Sequence, residues 1–297
     1  MQMGYDVAII GSGPAGLGTA VYLKRAMLSV VVIEKEYFSG GQMLSTENID
    51  NYLGFENISG FDLAQRFRKH AENLGAKFIN ATVKSVEKGK VILSDGKEIK
   101  AGAVVIASGA SHKKLGVKGE DEFSGKGVSY CAACDGAYFK GKNAVVVGGG
   151  DTALEDALYL SNICKKVTVI HRRGEFRAKK SLVNSLERLD NAEILFCEEI
   201  ESANGDNKLQ SVTLKSGKTV LTDALFVAVG QKADTSFIDG IALADDGSIK
   251  TDERCKTNID GIFAVGDVRE KYCRQVVTAV ADGAIASKSV CEYLNGD

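Results

Sequence analysis

The sequence predicts an α/β protein made of two tandem parallel-sheet domains, and three observations support this prediction. Apolar strand-like runs alternate with helix-like segments, the pattern of parallel sheets with right-handed crossover connections. A glycine-rich turn follows an apolar strand twice, first at Gly11 and again 137 positions later at Gly148. The length of 297 residues suits two domains of about 150 residues each.

The elements of the two copies correspond in order. The first copy predicts a strand over 7–10, a helix over 16–25 and a strand over 29–34. The second copy predicts a strand over 144–147, a helix ending at Asn162 and a strand over 167–171. Strand–helix–strand units of this kind place the ends of parallel strands at one edge of a sheet.

Two later segments of the copies also match. The runs 91–97 and 212–218 each predict a strand that enters a hairpin turn. The apolar strands over 104–109 and 225–230 both end in glycine. These matches are 121 positions apart rather than 137, so the first copy contains extra residues, which we place in a loop within 38–60.

Both glycine-rich turns have the composition of a dinucleotide-binding turn. In such a turn the first glycine allows a tight bend, the second allows the backbone to approach a pyrophosphate, and the third allows the helix to pack on the strand. The helix N-terminus then faces the phosphates. The residues concerned are Gly11, Ser12, Gly13, Pro14, Ala15 and Gly16 in the first copy, and Gly148, Gly150, Asp151, Thr152 and Ala153 in the second. The sequence therefore predicts two Rossmann-like dinucleotide-binding domains.

The residue that ends the second strand differs between the copies, and this predicts two different nucleotides. In the first copy it is Glu34, whose carboxylate can accept hydrogen bonds from ribose hydroxyls and repels a 2′-phosphate. In the second copy it is His171, followed by Arg172 and Arg173, with Arg177 nearby. Guanidinium groups pair with phosphate through charge-assisted bonds. We expect a nucleotide with a free ribose, such as FAD, at the first site and NADPH, in preference to NADH, at the second; a solvated run of arginines is the alternative.

Composition excludes several classes of protein. The 37 Lys and Arg residues nearly balance the 39 Asp and Glu residues, giving a net charge of -2, and this argues against a nucleic-acid partner. The N-terminal apolar run is too short to span a bilayer and resembles no targeting segment. An odd count of 7 Cys does not suit a secreted disulfide framework. We therefore expect a cytoplasmic enzyme without a membrane association.

One pair of cysteines is spaced for chemistry. Cys131 and Cys134 form the only C-x-x-C motif of the sequence, which suits either a metal or a redox disulfide. A structural zinc site normally needs four protein ligands, and no second pair of ligands lies nearby in the sequence, so we expect no metal. Asp135 follows directly and can exchange protons with a dithiol. The other five cysteines are interpreted as packing or incidental thiols.

Seven short motifs, taken in chain order, are similar to those of the low-molecular-weight, bacterial-type thioredoxin reductases. The resemblance covers essentially the whole chain, and although some motifs are common by themselves, their order is specific. They are GSGPAG from Gly11, GGQ from Gly40, SYCAACDG from Ser129, GGGDTA from Gly148, HRRGEFRA from His171, GDVR from Gly266 and RQ from Arg274.

The resemblance implies a fold of two three-layer ββα domains, the second inserted in the first. It implies a discontinuous FAD-binding domain over 1–114 and 244–297, with an NADPH-binding domain over 115–243. Asp267 would bind the ribityl–phosphate region of FAD. Besides the first glycine turn, the implied FAD-binding residues are Glu34, Lys35, Gly41, Gln42, Asn51, Val83, Ala107, Gly109, Gly266, Asp267, Arg274, Gln275 and Val276.

The same resemblance implies the reaction. NADPH passes a hydride to FAD, the reduced flavin opens the Cys131–Cys134 disulfide, and the dithiol reduces thioredoxin or a thioredoxin-like protein. Cys134 would face the flavin, Cys131 would attack the partner, Asp135 would act as acid and base, and the enzyme would be a homodimer. The sequence departs from the family at Tyr52-Leu53-Gly54, Gln231 and Ala137, so the resemblance does not extend to the surface that docks the partner.

Three other functions stay open at the level of sequence. A ferredoxin-dependent reductase of this family would carry degraded nucleotide motifs in its second domain, and here they are intact. The chain could instead be an NADPH-dependent reductase of another small disulfide protein. A non-catalytic flavin-binding redox sensor would need neither the arginines nor Asp135.

Overall fold

The computed structural model describes residues 4–46 and 48–296, and the chain divides into two compact units. The first unit comprises residues up to 111 together with those from 232 onward, and the second comprises 112–231. Residues 232–243, assigned from the sequence to the inserted domain, therefore belong to the first unit. The reason is their packing: Ile238 is buried in the first unit's core, and the Val86 N–H donates to the Phe237 carbonyl oxygen at 3.0 Å.

The helices and strands have the following bounds. In chain order the strands are β1 (Gly4–Ile10), β2 (Val30–Glu34), β3 (Lys77–Asn80), β4 (Val83–Glu87), β5 (Lys90–Leu93), β6 (Glu98–Ile106), β7 (Ala110–His112), β8 (Val128–Ser129), β9 (Asn143–Gly148), β10 (Lys166–His171), β11 (Ala192–Phe196), β12 (Ile200–Gly205), β13 (Leu209–Leu214), β14 (Thr219–Leu221), β15 (Ala224–Ala228), β16 (Gln231–Ala233) and β17 (Ile262–Ala264). The α-helices are α1 (Pro14–Arg25), α2 (Gly60–Asn73), α3 (Ala132–Asp135), α4 (Asp151–Ser161), α5 (Lys180–Glu187) and α6 (Val276–Asn295). Short 3-10 helices cover Gly41–Ser45, Gly136–Phe139 and Gly266–Val268.

The first unit is built on a mixed sheet with strand order β3-β2-β1-β6-β5-β4, and β17 also pairs with β6. The pairs among β1, β2, β3, β6 and β17 are parallel, whereas β4, β5 and β6 are antiparallel. Because β1 and β2 are apolar on both faces, both faces must be covered. Helices α1 and α6 pack together over one core, and a second core lies on the opposite face of the sheet.

The second unit repeats this plan. Its parallel sheet has the order β11-β10-β9-β15-β8, and a separate antiparallel sheet has the order β12-β13-β14. One core joins the parallel sheet to α4 and α5, and the other joins it to the antiparallel sheet. The predicted strand–helix–strand order of both copies is confirmed, and so is the α/β fold with two Rossmann-like domains.

The hairpin turns match in detail. In the first copy Leu93 N–H donates to the Lys97 carbonyl oxygen at 2.9 Å, and in the second Leu214 N–H donates to that of Lys218 at 2.8 Å. Gly96 and Gly217 occupy the same left-handed position, with φ of 84° and 86°. Glycine suits that position because it lacks a Cβ atom. The sequence match over these runs therefore reflects the same turn built twice.

A buried carboxylate links α6 to the turn that precedes it. Asp282 accepts hydrogen bonds from Gly266 N–H at 2.9 Å, Arg269 Nη1 at 3.0 Å and Lys271 Nζ at 2.8 Å. The side chains of Asp282 and Lys271 are 8% and 7% exposed. A charge this deeply buried must be paired, so Asp282 holds the segment 266–271 against α6.

We predict that Asp282→Ala lowers the free energy of unfolding by about 3–5 kcal/mol, because two cations lose their buried partner. Urea denaturation followed by circular dichroism measures the change. As a control, Asp260→Ala removes the partner of Lys88 in an ion pair whose side chains are 68% and 61% exposed, and this variant is expected to unfold like the wild type. Equal effects of the two substitutions would contradict a structural role for the buried pair.

Candidate functional site

The first glycine-rich turn is shaped by contacts that only glycine allows. A Cβ atom on Gly11, where φ is +102°, would lie 2.3 Å from the Ala107 carbonyl oxygen. One on Gly16 would lie 2.1 Å from the Gly11 carbonyl oxygen. Gly13 is different, since its nearest neighbour would be 4.0 Å away. The turn thus has no room for a side chain at Gly11 or Gly16, whereas the space beside Gly13 is open. Gly13 is the N-cap of α1.

The carboxylate that ends β2 is fixed by this turn. Glu34 Oε2 accepts hydrogen bonds from Ser12 N–H at 2.8 Å and from Ser12 Oγ at 2.7 Å. Lys35 is exposed and pairs with Asp234 at 3.4 Å. Val83, another predicted FAD-binding residue, follows two positions after Ala81, whose N–H donates to the Glu34 carbonyl oxygen. The structure therefore places the predicted carboxylate beside the glycine turn.

Further predicted residues of the first unit meet at the start of α6. Gln42 Nε2 donates to the Ala110 carbonyl oxygen at 2.7 Å and lies 3.5 Å from Asp267 Oδ2. Asn51 Nδ2 donates to Gln275 Oε1 at 3.1 Å, and Gln275 is the N-cap of α6. Val276, the first residue of α6, packs against the core beneath the 3-10 helix over Gly41–Ser45. Segments far apart in the sequence thus converge here.

Two buried polar atoms in this region have no hydrogen-bond partner among the described residues: Asp267 Oδ1 and Arg274 Nε. Burial raises the pKa of Asp267, while the charges of Lys271 and Arg274 act against that rise. Arg274 also pairs with Asp246 at 3.2 Å. Buried polar groups are normally satisfied, so a carboxylate and a guanidinium with free capacity fit a ligand with hydroxyl and phosphate groups, as FAD has.

The second glycine-rich turn repeats the geometry of the first. A Cβ atom on Gly148 would lie 2.4 Å from the Ala228 carbonyl oxygen, and one on Gly150, the N-cap of α4, would meet nothing within 4 Å. Asp151 and Ala153 begin α4, where Ala153 is buried, Thr152 is exposed, and the Asp151 carboxylate accepts Lys179 N–H at 2.8 Å. The turn again leaves a helix N-terminus open, the arrangement that binds phosphates.

The loop after β10 lies directly against this turn. A Cβ atom on Gly149 would be 2.1 Å from Cε1 of His171, and Arg177 N–H donates to the Gly149 carbonyl oxygen at 2.8 Å. His171 is 6% exposed and stacks on Phe176. Burial first, and then the neighbouring arginines, lower the pKa of His171, so its ring is neutral near pH 7.

Three cations stand around this neutral histidine. Arg172, Arg173 and Arg177 are exposed, and no described carboxylate forms an ion pair with any of them. His171 Nε2 is buried without a hydrogen-bond partner among the described residues. Unpaired guanidiniums beside a helix N-terminus fit a nucleotide that carries an additional phosphate.

The C-x-x-C pair forms a disulfide at the start of a short helix. Cys131 is the N-cap of α3, its Cα lies 5.3 Å from that of Cys134, and Cys134 N–H donates to Cys131 Sγ at 3.2 Å. Both cysteines are partly exposed. Burial raises the pKa of Asp135, and a hydrogen bond from Ser129 acts in the opposite direction. The arrangement can exchange electrons through sulfur and a proton through the carboxyl group.

A buried carboxylate that no sequence pattern indicates supports the segment before this disulfide. Glu120 is 2% exposed and accepts hydrogen bonds from Leu115 N–H, Gly116 N–H and the Tyr130 hydroxyl at 2.7–2.9 Å. Burial, followed by the bond to Glu120, raises the pKa of Tyr130. In the sequence Glu120 stands among charged residues and looks like surface, so no signal could have identified it. It fixes the residue immediately before Cys131.

The remaining cysteines do not form a second site. Cys164 and Cys255 are buried and Cys291 is partly buried, whereas Cys197 and Cys273 are exposed. Across residues 4–46 and 48–296, no cluster of three or more His, Cys, Asp or Glu side chains could hold a metal ion. In the same ranges no helix is long and apolar enough to cross a membrane.

Comparisons with known proteins agree with this geometry. The sequence profile of the pyridine nucleotide-disulphide oxidoreductases matches residues 5–283. The thioredoxin reductase of Bacillus subtilis is 45% identical, over 98% of this chain and 95% of that protein. The crystal structure of thioredoxin reductase from Streptococcus pyogenes superposes with a TM-score of 0.93 at 39% identity, covering 100% of both chains.

A relative with a different electron donor in its name is more distant. A ferredoxin-flavin thioredoxin reductase from Clostridium acetobutylicum has a TM-score of 0.55 at 32% identity, covering 100% of both chains. Identities of 39–45% over nearly whole chains, together with the two glycine-rich turns and the disulfide, establish the family of this chain. The chain belongs to the pyridine nucleotide-disulphide oxidoreductase family and, within it, to the thioredoxin reductases.

Proposed function

We propose that this chain is a thioredoxin-disulfide reductase in which Cys131 and Cys134 are the redox pair and Asp135 is the acid–base group. The observation that carries the proposal is the Cys131–Cys134 disulfide, which is partly exposed and followed directly by a carboxyl group of raised pKa. A partly exposed disulfide can meet a protein partner, and a carboxyl group of raised pKa holds its proton more tightly than an ordinary carboxyl group and can supply it to a thiolate.

The cofactors are FAD and NADPH, as in the family. We propose that the first unit holds FAD through the glycine turn at Gly11, the Glu34 carboxylate and the buried groups of Asp267 and Arg274. The second unit holds NADPH through the turn at Gly148, with Arg172, Arg173 and Arg177 on the 2′-phosphate. When bound, the flavin supplies two-electron transfer between nicotinamide and disulfide.

The residues of the second unit then perform thiol–disulfide exchange. In the dithiol state, the Cys131 thiolate attacks a sulfur of the thioredoxin disulfide, forming a mixed disulfide and releasing one thioredoxin thiolate. Asp135 donates its proton to a departing thiolate. Cys134 then attacks the mixed disulfide at Cys131, which restores the Cys131–Cys134 disulfide and releases reduced thioredoxin.

The partner, oligomer and location complete the proposal. Thioredoxin is the proposed partner because the similar proteins are named thioredoxin reductases. From the resemblance to the family, we also propose that the enzyme is a homodimer and lies in the cytoplasm. NADPH is preferred over ferredoxin as the donor because the glycine turn and the three arginines of the second unit are intact.

We predict that Cys134→Ser retains reduction of the bound flavin by NADPH but loses thioredoxin turnover by about a thousandfold or more, because the disulfide can no longer form. Anaerobic stopped-flow spectroscopy and a coupled NADPH-oxidation assay measure the two steps. Cys291→Ser, at a partly buried free cysteine of the first unit, is the control and is expected to behave as wild type. Turnover that survives in Cys134→Ser would overturn the dithiol mechanism.

We predict that Gly13→Ala folds normally but binds FAD about tenfold or more weakly, because the new methyl group occupies the space open to the pyrophosphate. Fluorescence titration of the apoprotein with FAD measures the affinity, and thermal unfolding measures stability. Gly16→Ala is the matched control in the same turn: its Cβ atom would lie 2.1 Å from a backbone oxygen, which is expected to cost about 1–3 kcal/mol of stability. Unchanged FAD affinity in Gly13→Ala would refute the assignment.

We predict that replacing both Arg172 and Arg173 with Ala raises the NADPH concentration needed for flavin reduction by about 10- to 100-fold, through loss of charge-assisted bonds to phosphate. The requirement for NADH should hardly change. Anaerobic flavin reduction with each nucleotide tests this, with Arg188→Ala as an exposed control in the same unit. An equal loss with NADH would contradict the phosphate role, and flavin that only reduced ferredoxin can bleach would support the ferredoxin-dependent alternative.

A further inference from the structure

A serine at the end of a short strand lies between Asp135 and Cys131. Strand β8 pairs with β15 through Val128 with Leu225 and Ser129 with Phe226. Val128 is buried in the core that contains the antiparallel sheet. Because successive side chains of a strand point to opposite faces, Ser129 points to the other face, and it is 6% exposed. Strand pairing thus fixes the position of a hydroxyl that solvent hardly reaches.

This hydroxyl makes two hydrogen bonds within the redox segment. Ser129 Oγ lies 2.5 Å from Asp135 Oδ2, and it accepts the Cys131 N–H at 3.1 Å. The Cys131 carbonyl oxygen lies farther away, at 3.4 Å. A serine hydroxyl has one hydrogen to donate, and the carboxylate is the nearer and more strongly accepting partner. Ser129 therefore donates to Asp135 while it holds the peptide of Cys131.

We propose that Ser129 is a positioning residue that fixes the Asp135 carboxyl group beside the disulfide and sets the pH at which it releases its proton. The inference rests on the proposed function, since Asp135 is the acid–base group there. A hydrogen bond donated to a carboxylate stabilises its charged form. Ser129 therefore keeps the proton of Asp135 available for exchange in an environment where burial alone would hold it more tightly.

Other charged groups near α3 do not account for the pKa shift of Asp135. The elements packed against α3 are α4 and the 3-10 helix over Gly136–Phe139. Their titratable side chains are Asp151, Glu155, Asp156 and Tyr159 on α4 and Tyr138 on the 3-10 helix. Among the described residues, the pKa of Asp135 is shifted by burial, which raises it, and by the Ser129 hydrogen bond, which lowers it.

Without the Ser129 hydroxyl the charged form of Asp135 loses its stabilising donor, so its pKa rises. A hydrogen bond to a charged group corresponds to a shift of about one pH unit or more. Steps that need Asp135 as a proton donor decline as pH rises through that pKa, so this decline should move to higher pH in a variant that lacks the hydroxyl.

Infrared titration of the oxidised FAD-bound enzyme tests the inference directly. The carbonyl band of the protonated Asp135 carboxyl group is assigned by its loss in Asp135→Asn. This assignment is needed because burial, and then Glu155, raise the pKa of Asp156 to about 7, which gives a second band in the same pH range. The titration midpoint of the Asp135 band is then compared among variants.

The variants separate the hydroxyl from the shape of the side chain. Thr and Val have the same shape, and only Thr retains the hydroxyl group. We expect the midpoint of Ser129→Val and Ser129→Ala to rise by about one pH unit or more, and that of Ser129→Thr to stay near wild type. Ser202→Ala, which removes a hydroxyl bonded to Asn204 elsewhere in the second unit, is the control and should not shift it.

Two results would overturn the inference: equal midpoints in Ser129→Thr and Ser129→Val, or an unshifted midpoint in a folded Ser129→Ala. The Thr and Val pair keeps the test valid if Ser129→Ala does not fold. The pH profile of thioredoxin reduction distinguishes failure of the proposed function. If Asp135→Asn keeps the wild-type rate and profile, the acid–base role itself is wrong, whatever Ser129 does to the carboxyl group.

Discussion

The close approach of backbone to backbone at the ends of neighbouring parallel strands is the constraint on which both nucleotide sites depend. In each copy the chain that leaves the first strand passes over a carbonyl oxygen at the end of the neighbouring parallel strand, that of Ala107 just after β6 or that of Ala228 in β15, with room for no Cβ atom. This contact is what allows α1 and α4 to begin directly above the sheet. Their N-caps, Gly13 and Gly150, then face open space where phosphates can approach.

The same scaffold carries opposite electrostatics in its two copies. In the first, Ser12 fixes Glu34 as an acceptor beside the turn. In the second, the corresponding position is a buried, neutral His171 whose ring packs on Gly149, so that the following arginines project from a rigid support. The repeat therefore supplies the same turn geometry twice, and the side chains proposed to select the nucleotide lie at the end of one strand in each copy.

Beside the disulfide, burial and hydrogen bonding have opposite effects on the pKa of Asp135. Burial raises the pKa of Asp135, which suits its proposed role as a proton donor, and the hydrogen bond from Ser129 limits that rise. Glu120 stays buried because its oxygens receive two backbone N–H groups and the Tyr130 hydroxyl. The hydrogen bonds of the Ser129 and Tyr130 side chains thus fix the two residues that precede Cys131.

Much of the fold could be predicted from the sequence because local patterns of residues determine its strands, helices and turns. The apolar runs and glycine turns gave the strand and helix order of both copies, and the matched hairpins at Gly96 and Gly217 form the same turn. The family resemblance implies that the inserted domain ends at 243, whereas the second compact unit ends at 231. Nothing in the local sequence shows that Ile238 packs into the first unit's core.

The sequence by itself determined the fold class and the spacing of the two cysteines, and it contains the residues proposed to distinguish the two nucleotide sites, since each is encoded by residues close together in the chain. Only the tertiary structure decided which polar side chains are buried and what they bond. Ser129 reaches Asp135 because β8 pairs with β15, and Asp282 holds Lys271 because α6 packs on the preceding turn. Burial and hydrogen bonding of a polar group depend on the elements folded around it, and a local sequence pattern does not contain them.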